Sequence, residues 1–155
     1  EEGTGTTFTL YFPVTREELS KVKDAVSSSI YKGRGESILV VDDVREQREL
    51  AMSILEWLGY QVEVLSSGEE AIGYLKSKKA DLVVLDMIME PGIDGLETYK
   101  RILEISPKQK AIIVSGFSET DRVKKALEIG AGSFVRKPYI LEKIGLAVRA
   151  ELDKL

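Results

Sequence analysis

The chain has 155 residues, 43% of them hydrophobic and 31% charged, which suits one globular domain with an additional segment rather than a disordered or membrane protein. It contains no cysteine and no histidine, and this excludes disulfide bonds, thiolate catalysis and the usual zinc sites. The net charge of -4 gives no electrostatic reason to bind nucleic acid or an anionic membrane, so we expect neither partner. Because Glu1 and Glu2 do not begin a signal peptide, we expect a cytoplasmic setting.

The first 36 residues differ from the rest of the chain. An apolar run at residues 7–14 predicts one strand, and Thr15 with Glu18 predicts the cap of a short helix. The glycine and serine residues that follow are typical of a linker. We therefore place a domain boundary near Glu36, with residues 15–36 as a linker that holds at most a short helix.

Beyond Glu36 the chain alternates short apolar runs with amphipathic stretches, the pattern of a parallel sheet covered by helices. Four of the five apolar runs are rich in Val, Ile and Leu. The predicted strands lie at residues 37–42, 61–65, 81–86, 111–115 and 133–136. This pattern predicts an α/β domain with a five-fold strand and helix alternation.

Helix signals lie between the predicted strands. We expect Asp43 to cap a first helix that ends at Gly59, and Ser67 with Glu70 to form a capping box at the second. Ser118 is expected to cap the fourth helix. The apolar stripes of the third and fifth helices are Leu96, Tyr99 and Leu103, and Leu141, Ile144 and Val148.

Reactive side chains follow four of the five predicted strands, at the edge where open parallel sheets place their functional crevice. They are Asp42 and Asp43, Asp86, Ser115 and Lys137. Taken singly, Asp43 could cap a helix, Ser115 could be a strand-end hydroxyl and Lys137 a surface charge. Their joint placement favours a site.

Three carboxylates that meet beside a buried strand require a compensating cation. In a chain without histidine or cysteine, hard oxygen ligands favour Mg²⁺, which takes few protein ligands and keeps several waters. We therefore expect Asp42, Asp43 and Asp86 to form a Mg²⁺ site.

These motifs resemble the receiver domains of two-component signalling. The resemblance covers about residues 37–155 and rests on motifs at four strand ends. They are Asp42-Asp43 after a Val-rich strand, Asp86 after Leu-Val-Val-Leu, Ser115-Gly116, and Lys137-Pro138.

The resemblance implies a flavodoxin-like, doubly wound (βα)5 fold with a five-stranded parallel sheet in the order 2-1-3-4-5. It also implies that Asp86 is the phosphoacceptor. Asp42 and Asp43 would hold Mg²⁺ together with Asp86 and the backbone carbonyl of Met87.

Three further positions take roles from the resemblance. Ser115 and Lys137 would contact the phosphoryl group and, with Asp86, form the catalytic set. Phe134 matches the switch aromatic of the family and would move with Ser115 on phosphorylation. The Lys137-Pro138 peptide is expected to be cis, which only an X-Pro bond adopts at low cost.

The loop after Asp86 departs from the family pattern. Where the family has Asp-x-x-Met-Pro-x-x-Asp-Gly, this loop is one residue longer through Glu90 and reaches Asp94-Gly95 later. Ile88, two residues after the acceptor, is apolar where a polar side chain could orient a hydrolytic water. This position leaves the lifetime of the phosphoryl group open.

The first residues carry a second resemblance. The segment Gly3-Thr-Gly5-Thr-Thr-Phe8-Thr-Leu-Tyr-Phe-Pro-Val is similar to the last glycine box and final strand of the ATP-binding domain of histidine kinases. Residues 1–14 would then be a remnant of that domain, without the catalytic residues of a kinase. The leading hypothesis is therefore the C-terminal receiver of a hybrid sensor histidine kinase.

Two other functions are considered. An aspartyl phosphatase of the haloacid-dehalogenase kind also combines Asp, Ser or Thr, Lys and Mg²⁺, but it needs a second Asp where this chain has Ile88. A receiver that is never phosphorylated and only binds a partner is the third interpretation, and the complete set of site residues argues against it.

The expected partners follow from the leading hypothesis. A histidine kinase or a histidine phosphotransfer domain would donate the phosphoryl group, and a homodimer is left open. Since no DNA-binding segment follows Leu155, we expect the output to pass to another protein.

Overall fold

The computed structural model describes residues 3, 5, 8–11, 28–116 and 120–154. Its strands are β1 (Ser37–Val41), β2 (Gln61–Leu65), β3 (Leu82–Asp86), β4 (Ala111–Ser115) and β5 (Phe134–Arg136). Its α-helices are α1 (Arg45–Trp57), α2 (Gly68–Leu75), α3 (Gly95–Ile105), α4 (Asp121–Glu128) and α5 (Leu141–Leu152). All strand pairs are parallel, in the order β2-β1-β3-β4-β5, so the predicted doubly wound fold is confirmed.

The sheet separates two apolar layers because successive side chains of a strand point to opposite faces. On one face Leu39 and Val83 pack with α2, α3 and α4. On the other face Val40 and Val84 pack with α1 and α5. Strands β3 and β4 are buried along their whole length, whereas the edge strand β2 is not. The apolar runs of the sequence therefore mark the central strands, covered on both faces.

Helix α1 begins differently from the prediction. Its N-cap is Val44, not Asp43, and the backbone N–H of Val44 donates to Asp42 Oδ1 at 3.0 Å. Asp42 thus closes the turn into the helix, which releases the Asp43 carboxylate for other contacts. At the other end Gly59 has φ 94°, a value that favours glycine, as the predicted stop requires.

The other predicted caps are confirmed in part. Ser67 caps α2 by accepting the N–H of Glu70 at 3.2 Å, but the Glu70 carboxylate accepts the N–H of Ser66 instead of completing the capping box. Ser118 lies outside the described residues. Helix α4 is capped by Thr120, whose hydroxyl accepts the N–H of Val123 at 3.4 Å, so the helix starts later than expected.

The N-terminal strand prediction is wrong for the residues that can be compared. Residues 8–11 form neither strand nor helix, and the side chains of Phe8 and Tyr11 are exposed. In the part of the chain that the structure describes, no strand pairs with this segment. A strand without a neighbour leaves its backbone hydrogen-bonding groups to water. The short helix expected after Thr15 lies outside the described residues.

Part of the predicted linker packs against the domain. Residues Ser28–Tyr31 form a 3₁₀ helix, and Tyr31 is buried against α5 and the end of α1. Its carbonyl oxygen accepts the hydroxyl of Tyr60 at 3.1 Å. An added Cβ on Gly145 of α5 would lie 2.6 Å from Tyr31 Cδ2, so the glycine leaves room for the ring.

An ion-pair network continues this contact. Arg149 of α5 pairs with Glu36 at 2.6 Å and with Asp153 at 2.8 Å. Residues 28–36 therefore extend the folded unit to the N-terminal side of the boundary near Glu36, while the assignment of residues 1–14 and the rest of the linker stays a prediction.

Candidate functional site: the acidic edge of the sheet

The parallel sheet brings the predicted site residues to one edge. Asp42 follows β1, Asp86 ends β3, Ser115 ends β4 and Lys137 follows β5. Because β1, β3, β4 and β5 are successive neighbours in the sheet, their carboxyl ends lie side by side. The residues that the sequence scatters over almost one hundred positions thus meet in one place.

Asp42, Asp43 and Asp86 form a carboxylate cluster. One oxygen of each lies within 4.8 Å of the others. Asp42 is fully buried and Asp86 is nearly so, which separates this cluster from the solvated acidic groups of a surface. Three hard oxygen donors at this spacing fit a divalent cation of the magnesium type.

Met87 is the fourth predicted ligand. Its side chain is buried, and its carbonyl oxygen accepts the N–H of Gly95 at 3.2 Å. A carbonyl oxygen has two lone pairs, so this bond leaves one for a metal ion. Met87 can therefore serve as the predicted ligand only through the second lone pair of its carbonyl oxygen.

Lys137 neutralises part of the cluster. Its ammonium lies 2.5 Å from Asp42 Oδ2 and 3.2 Å from Asp86 Oδ1, and its side chain is 11% exposed. The Lys137-Pro138 peptide is cis, as expected from the sequence. The backbone N–H of Lys137 also donates to the carbonyl oxygen of Ser115 at 2.9 Å, which fixes the lysine beside the end of β4.

Burial raises the pKa of Asp86 from its ordinary value of 3.8 to about 6. The negative charges of Asp42 and Asp43 act in the same direction, while Lys137 opposes them through its charge and its hydrogen bond. At neutral pH Asp86 is therefore mostly ionised, and its buried charge lowers the free energy of unfolding of the metal-free domain. A cation bound beside it would remove part of this cost.

The lengthened loop after β3 contacts the acidic pair directly. The backbone N–H of Glu90 donates to Asp43 Oδ2 at 3.1 Å. Further along, the N–H of Ile93 donates to Glu69 Oε1 of α2, also at 3.1 Å. The additional residue thus places a backbone donor on one predicted metal ligand, a contact that the sequence did not predict.

Arg48 of α1 holds the backbone of the acidic pair. Its Nη1 donates to the carbonyl oxygens of Asp42 at 2.6 Å and of Asp43 at 2.9 Å. Arg48 could not be predicted from the sequence because its partners are backbone atoms, which leave no signature in the residue types.

The predicted switch pair occupies neighbouring strands. Ser115 is buried at the end of β4, and Phe134 is half-buried at the start of β5, where it packs against the layer formed with α2, α3 and α4. The two residues stand on adjacent strands, with Ser115 paired to Arg136 in the register.

A cleft of about 490 Å³ opens over the cluster. It is lined by Asp43, Val44, Gln47, Asp86, Ile88, Gly116, Lys137 and Pro138. Ile88 is 43% exposed there, so the position two residues after Asp86 presents an apolar surface to an incoming group. Gln47 is a further polar lining residue that the sequence analysis did not identify.

The comparisons with known proteins agree with this geometry. Residues 38–149 match the family model described as the response regulator receiver domain. The chain belongs to this family. The match spans Asp42, Asp43, Asp86 and Lys137, and it favours a receiver domain over the haloacid-dehalogenase interpretation.

Several proteins of known sequence are similar to this chain. The chain is 34% identical over 117 residues to sporulation initiation phosphotransferase F of Bacillus subtilis, covering 76% of this chain and 94% of that protein. It is 33% identical over 106 residues to chemotaxis protein CheY of Thermotoga maritima, covering 68% of this chain and 88% of that protein. By contrast, it spans 25% of the C4-dicarboxylate transport transcriptional regulatory protein DctD of Rhizobium meliloti, at 30% identity.

Solved receiver structures share the fold. A CheY-like receiver domain protein from Methanospirillum hungatei superposes with a TM-score of 0.72 at 25% identity, over 77% of this chain and 94% of that one. The BeF3-activated DrrB receiver domain gives a TM-score of 0.68 at 28% identity, over 77% of this chain and 99% of that one.

Within the described residues, none of the receiver's helices combines the length and apolar character that crossing a bilayer requires.

Proposed function

We propose that this receiver domain accepts a phosphoryl group on Asp86 from a phosphohistidine. The observation that carries the proposal is the position of Asp86, which ends β3 beside two further carboxylates, contacts Lys137 at 3.2 Å and lines an open cleft. An ionised carboxylate reachable through a cleft is the nucleophile that this transfer needs.

The proposed transfer exchanges one bond for another. A carboxylate oxygen of Asp86 attacks the phosphorus, the new O–P bond forms as the P–N bond to the donor imidazole breaks, and the imidazole leaves with the electron pair. Lys137 stays beside Asp86 and offsets the negative charge that the phosphoryl oxygens bring. The product is an acyl phosphate.

Asp42, Asp43, Asp86 and the Met87 carbonyl would hold Mg²⁺, which when bound supplies positive charge to the phosphoryl oxygens. The protein's own contribution is to keep these ligands in place. Arg48 fixes the backbone of the acidic pair, and the Glu90 N–H orients the Asp43 carboxylate. These contacts support a Mg²⁺ role for the cluster.

Ser115 and Phe134 are proposed to convert phosphorylation into a surface change. Ser115 would bind a phosphoryl oxygen through its hydroxyl, and its movement would open space behind it for the Phe134 ring. The surface affected would be α4, β5 and α5. Phosphorylation would then shift an equilibrium between two conformations of the same fold.

The wider context is also proposed. The partner would be a histidine kinase or a histidine phosphotransfer domain, in a cytoplasmic hybrid kinase whose ATP-binding domain ends with residues 1–14. A homodimer fits the same proposal, and we expect no contact with nucleic acid or membrane. These points rest on the motifs of the sequence and on family membership.

The decisive test is incubation with Mg²⁺ and acetyl phosphate, followed by intact mass. We expect one added phosphoryl group on the wild type and none on Asp86→Asn, which keeps the volume of the side chain but removes the acceptor oxygen. Asp121→Asn is the matched control, because Asp121 is an exposed carboxylate on α4 that should not affect labelling. A phosphorylated Asp86→Asn protein would show that the acceptor is elsewhere, and an unlabelled wild type would favour the partner-binding alternative.

A further inference from the structure

Gln47 carries a buried polar atom that its surroundings do not satisfy. Its amide oxygen is buried and accepts no hydrogen bond from any described residue. A buried acceptor without a donor costs about 1 to 3 kcal/mol, so such atoms in folded proteins usually mark a bound water, an ion or a functional site.

The position of Gln47 connects this atom to the acidic cluster. The residue lies in the first turn of α1, four residues after Asp43, and lines the same cleft as Asp86 and Lys137. Asp43, whose carboxylate accepts the N–H of Glu90, lines this cleft as well. Gln47 and two of the three carboxylates therefore border one cleft.

The donors near the cluster are already directed at its carboxylates. Lys137 contacts Asp42 and Asp86, and the N–H groups of Val44 and Glu90 donate to Asp42 and Asp43 respectively. Apart from Lys137 and Gln47 itself, the side chains that line the cleft are carboxylates or apolar groups. None of these lining side chains donates a hydrogen bond to the amide oxygen of Gln47.

We propose that Gln47 is a positioning residue that accepts a hydrogen bond from a water molecule bound to Mg²⁺ at the acidic cluster. The inference rests on the proposed function, since it requires the metal site. Mg²⁺ retains several of its waters in proteins, and each such water is a strong donor. Groups outside the ligand set that bind these waters tune metal affinity, and this one is supplied by α1 rather than by the loops at the strand ends.

Two substitutions of similar size should differ in their effect on Mg²⁺ affinity. Gln47→Met removes the acceptor, and we expect the dissociation constant for Mg²⁺ to rise about fivefold, the value of one ordinary hydrogen bond. Gln47→Glu keeps an acceptor and adds negative charge, so we expect Mg²⁺ affinity equal to or above that of the wild type. Without metal, Gln47→Met should be at least as stable as the wild type, because it removes an unsatisfied buried atom.

The experiment is calorimetric titration of the full chain with MgCl₂, paired with thermal unfolding in EDTA. The control is Glu46→Met, an exposed neighbour on α1 that loses a charge but should change the affinity less than twofold. The inference would be overturned if Gln47→Met binds Mg²⁺ as tightly as the wild type. It would also be overturned if Gln47→Met and Gln47→Glu are both less stable than the wild type in EDTA. If the wild type itself binds no Mg²⁺, the proposed function fails first, and the two failures are distinguishable.

Discussion

The raised pKa of Asp86 makes a specific prediction about stability. In the folded, metal-free domain the pKa is about 6, against 3.8 for an ordinary Asp, because the carboxylate is buried beside two others. The folded state therefore binds the proton more tightly than the unfolded state. Asp86 destabilises the domain least below pH 3.8, where both states are protonated, and most above pH 6, where the folded state must lose the proton.

The size of the effect follows from the two pKa values. At 1.36 kcal/mol per pKa unit they correspond to about 3 kcal/mol, which is an upper bound because the site relaxes when charged. Asp86→Asn removes the charge and keeps the volume, while Lys137 retains its contact with Asp42. We therefore expect Asp86→Asn to raise the free energy of unfolding by about 1 to 3 kcal/mol at pH 7.5 in EDTA.

Urea unfolding at pH 7.5 and pH 4.5 measures this directly. The advantage of Asp86→Asn should shrink by more than half at pH 4.5, and addition of Mg²⁺ at pH 7.5 should reduce it as well, since the metal stabilises only the wild-type cluster fully. Asp121→Asn again serves as the exposed control and should show no such dependence. If Asp86→Asn is no more stable than the wild type at pH 7.5, or if its advantage is equal at both pH values, the electrostatic reasoning is wrong.

Three further predictions concern the metal, the switch and the N-terminal contact. Asp43→Ala should weaken Mg²⁺ binding at least tenfold in a calorimetric titration, since a ligand is lost, and unchanged binding would exclude Asp43 from the metal site. Ser115→Ala should still bind beryllofluoride but show much smaller amide shifts at residues 118–140 than the wild type; equal shifts near Phe134 would refute the coupling. Gly145→Ala should lose about 1 to 3 kcal/mol in urea unfolding because its Cβ meets Tyr31, whereas Gly73→Ala on α2, with open space around the added Cβ, should gain up to about 1 kcal/mol.

The sheet could be predicted closely because its signals are local. The central strands are buried on both faces, so each appears in the sequence as a continuous apolar run, and the bounds of β2 and β4 agree with the prediction. The errors fall where a helix begins. A carboxylate before an amphipathic stretch is a good capping signal, yet Asp43 is turned toward the Glu90 N–H and leaves the N-cap to Val44.

The N-terminal contact could not be predicted from local signals. Tyr31 stands among glycine and serine residues, and its partners Tyr60 and Gly145 are distant in the sequence. A single aromatic residue in a linker-like segment forms no repeating apolar pattern, so its burial could not be predicted. The opposite error occurs at residues 8–11, where an alternating pattern exists but no neighbouring strand is present among the described residues.

The site residues that could be predicted from the sequence are those whose side chains would carry out the proposed chemistry. Asp42, Asp43, Asp86 and Lys137 stand at strand ends, so topology alone predicts that they meet. Arg48 and Glu69 bind backbone atoms, and Gln47 lines a cleft. The roles of these residues depend on three-dimensional geometry that residue types alone do not encode.

Departures from the usual rules of stability occur at this edge of the sheet. Helices α2, α3 and α4 are capped by Ser67, Asp94 and Thr120, whereas α1 and α5 begin at Val44 and Ile140, whose side chains accept no hydrogen bond. A polar cap at Val44 would stabilise α1 by about 1 kcal/mol. In the same cleft Gln47 buries an unsatisfied oxygen and Asp86 holds a charge at a raised pKa. Such costs at one edge of a well-packed domain are hard to explain by folding alone. The proposed site for a cation and a phosphoryl group would account for both the buried charge of Asp86 and the unsatisfied oxygen of Gln47.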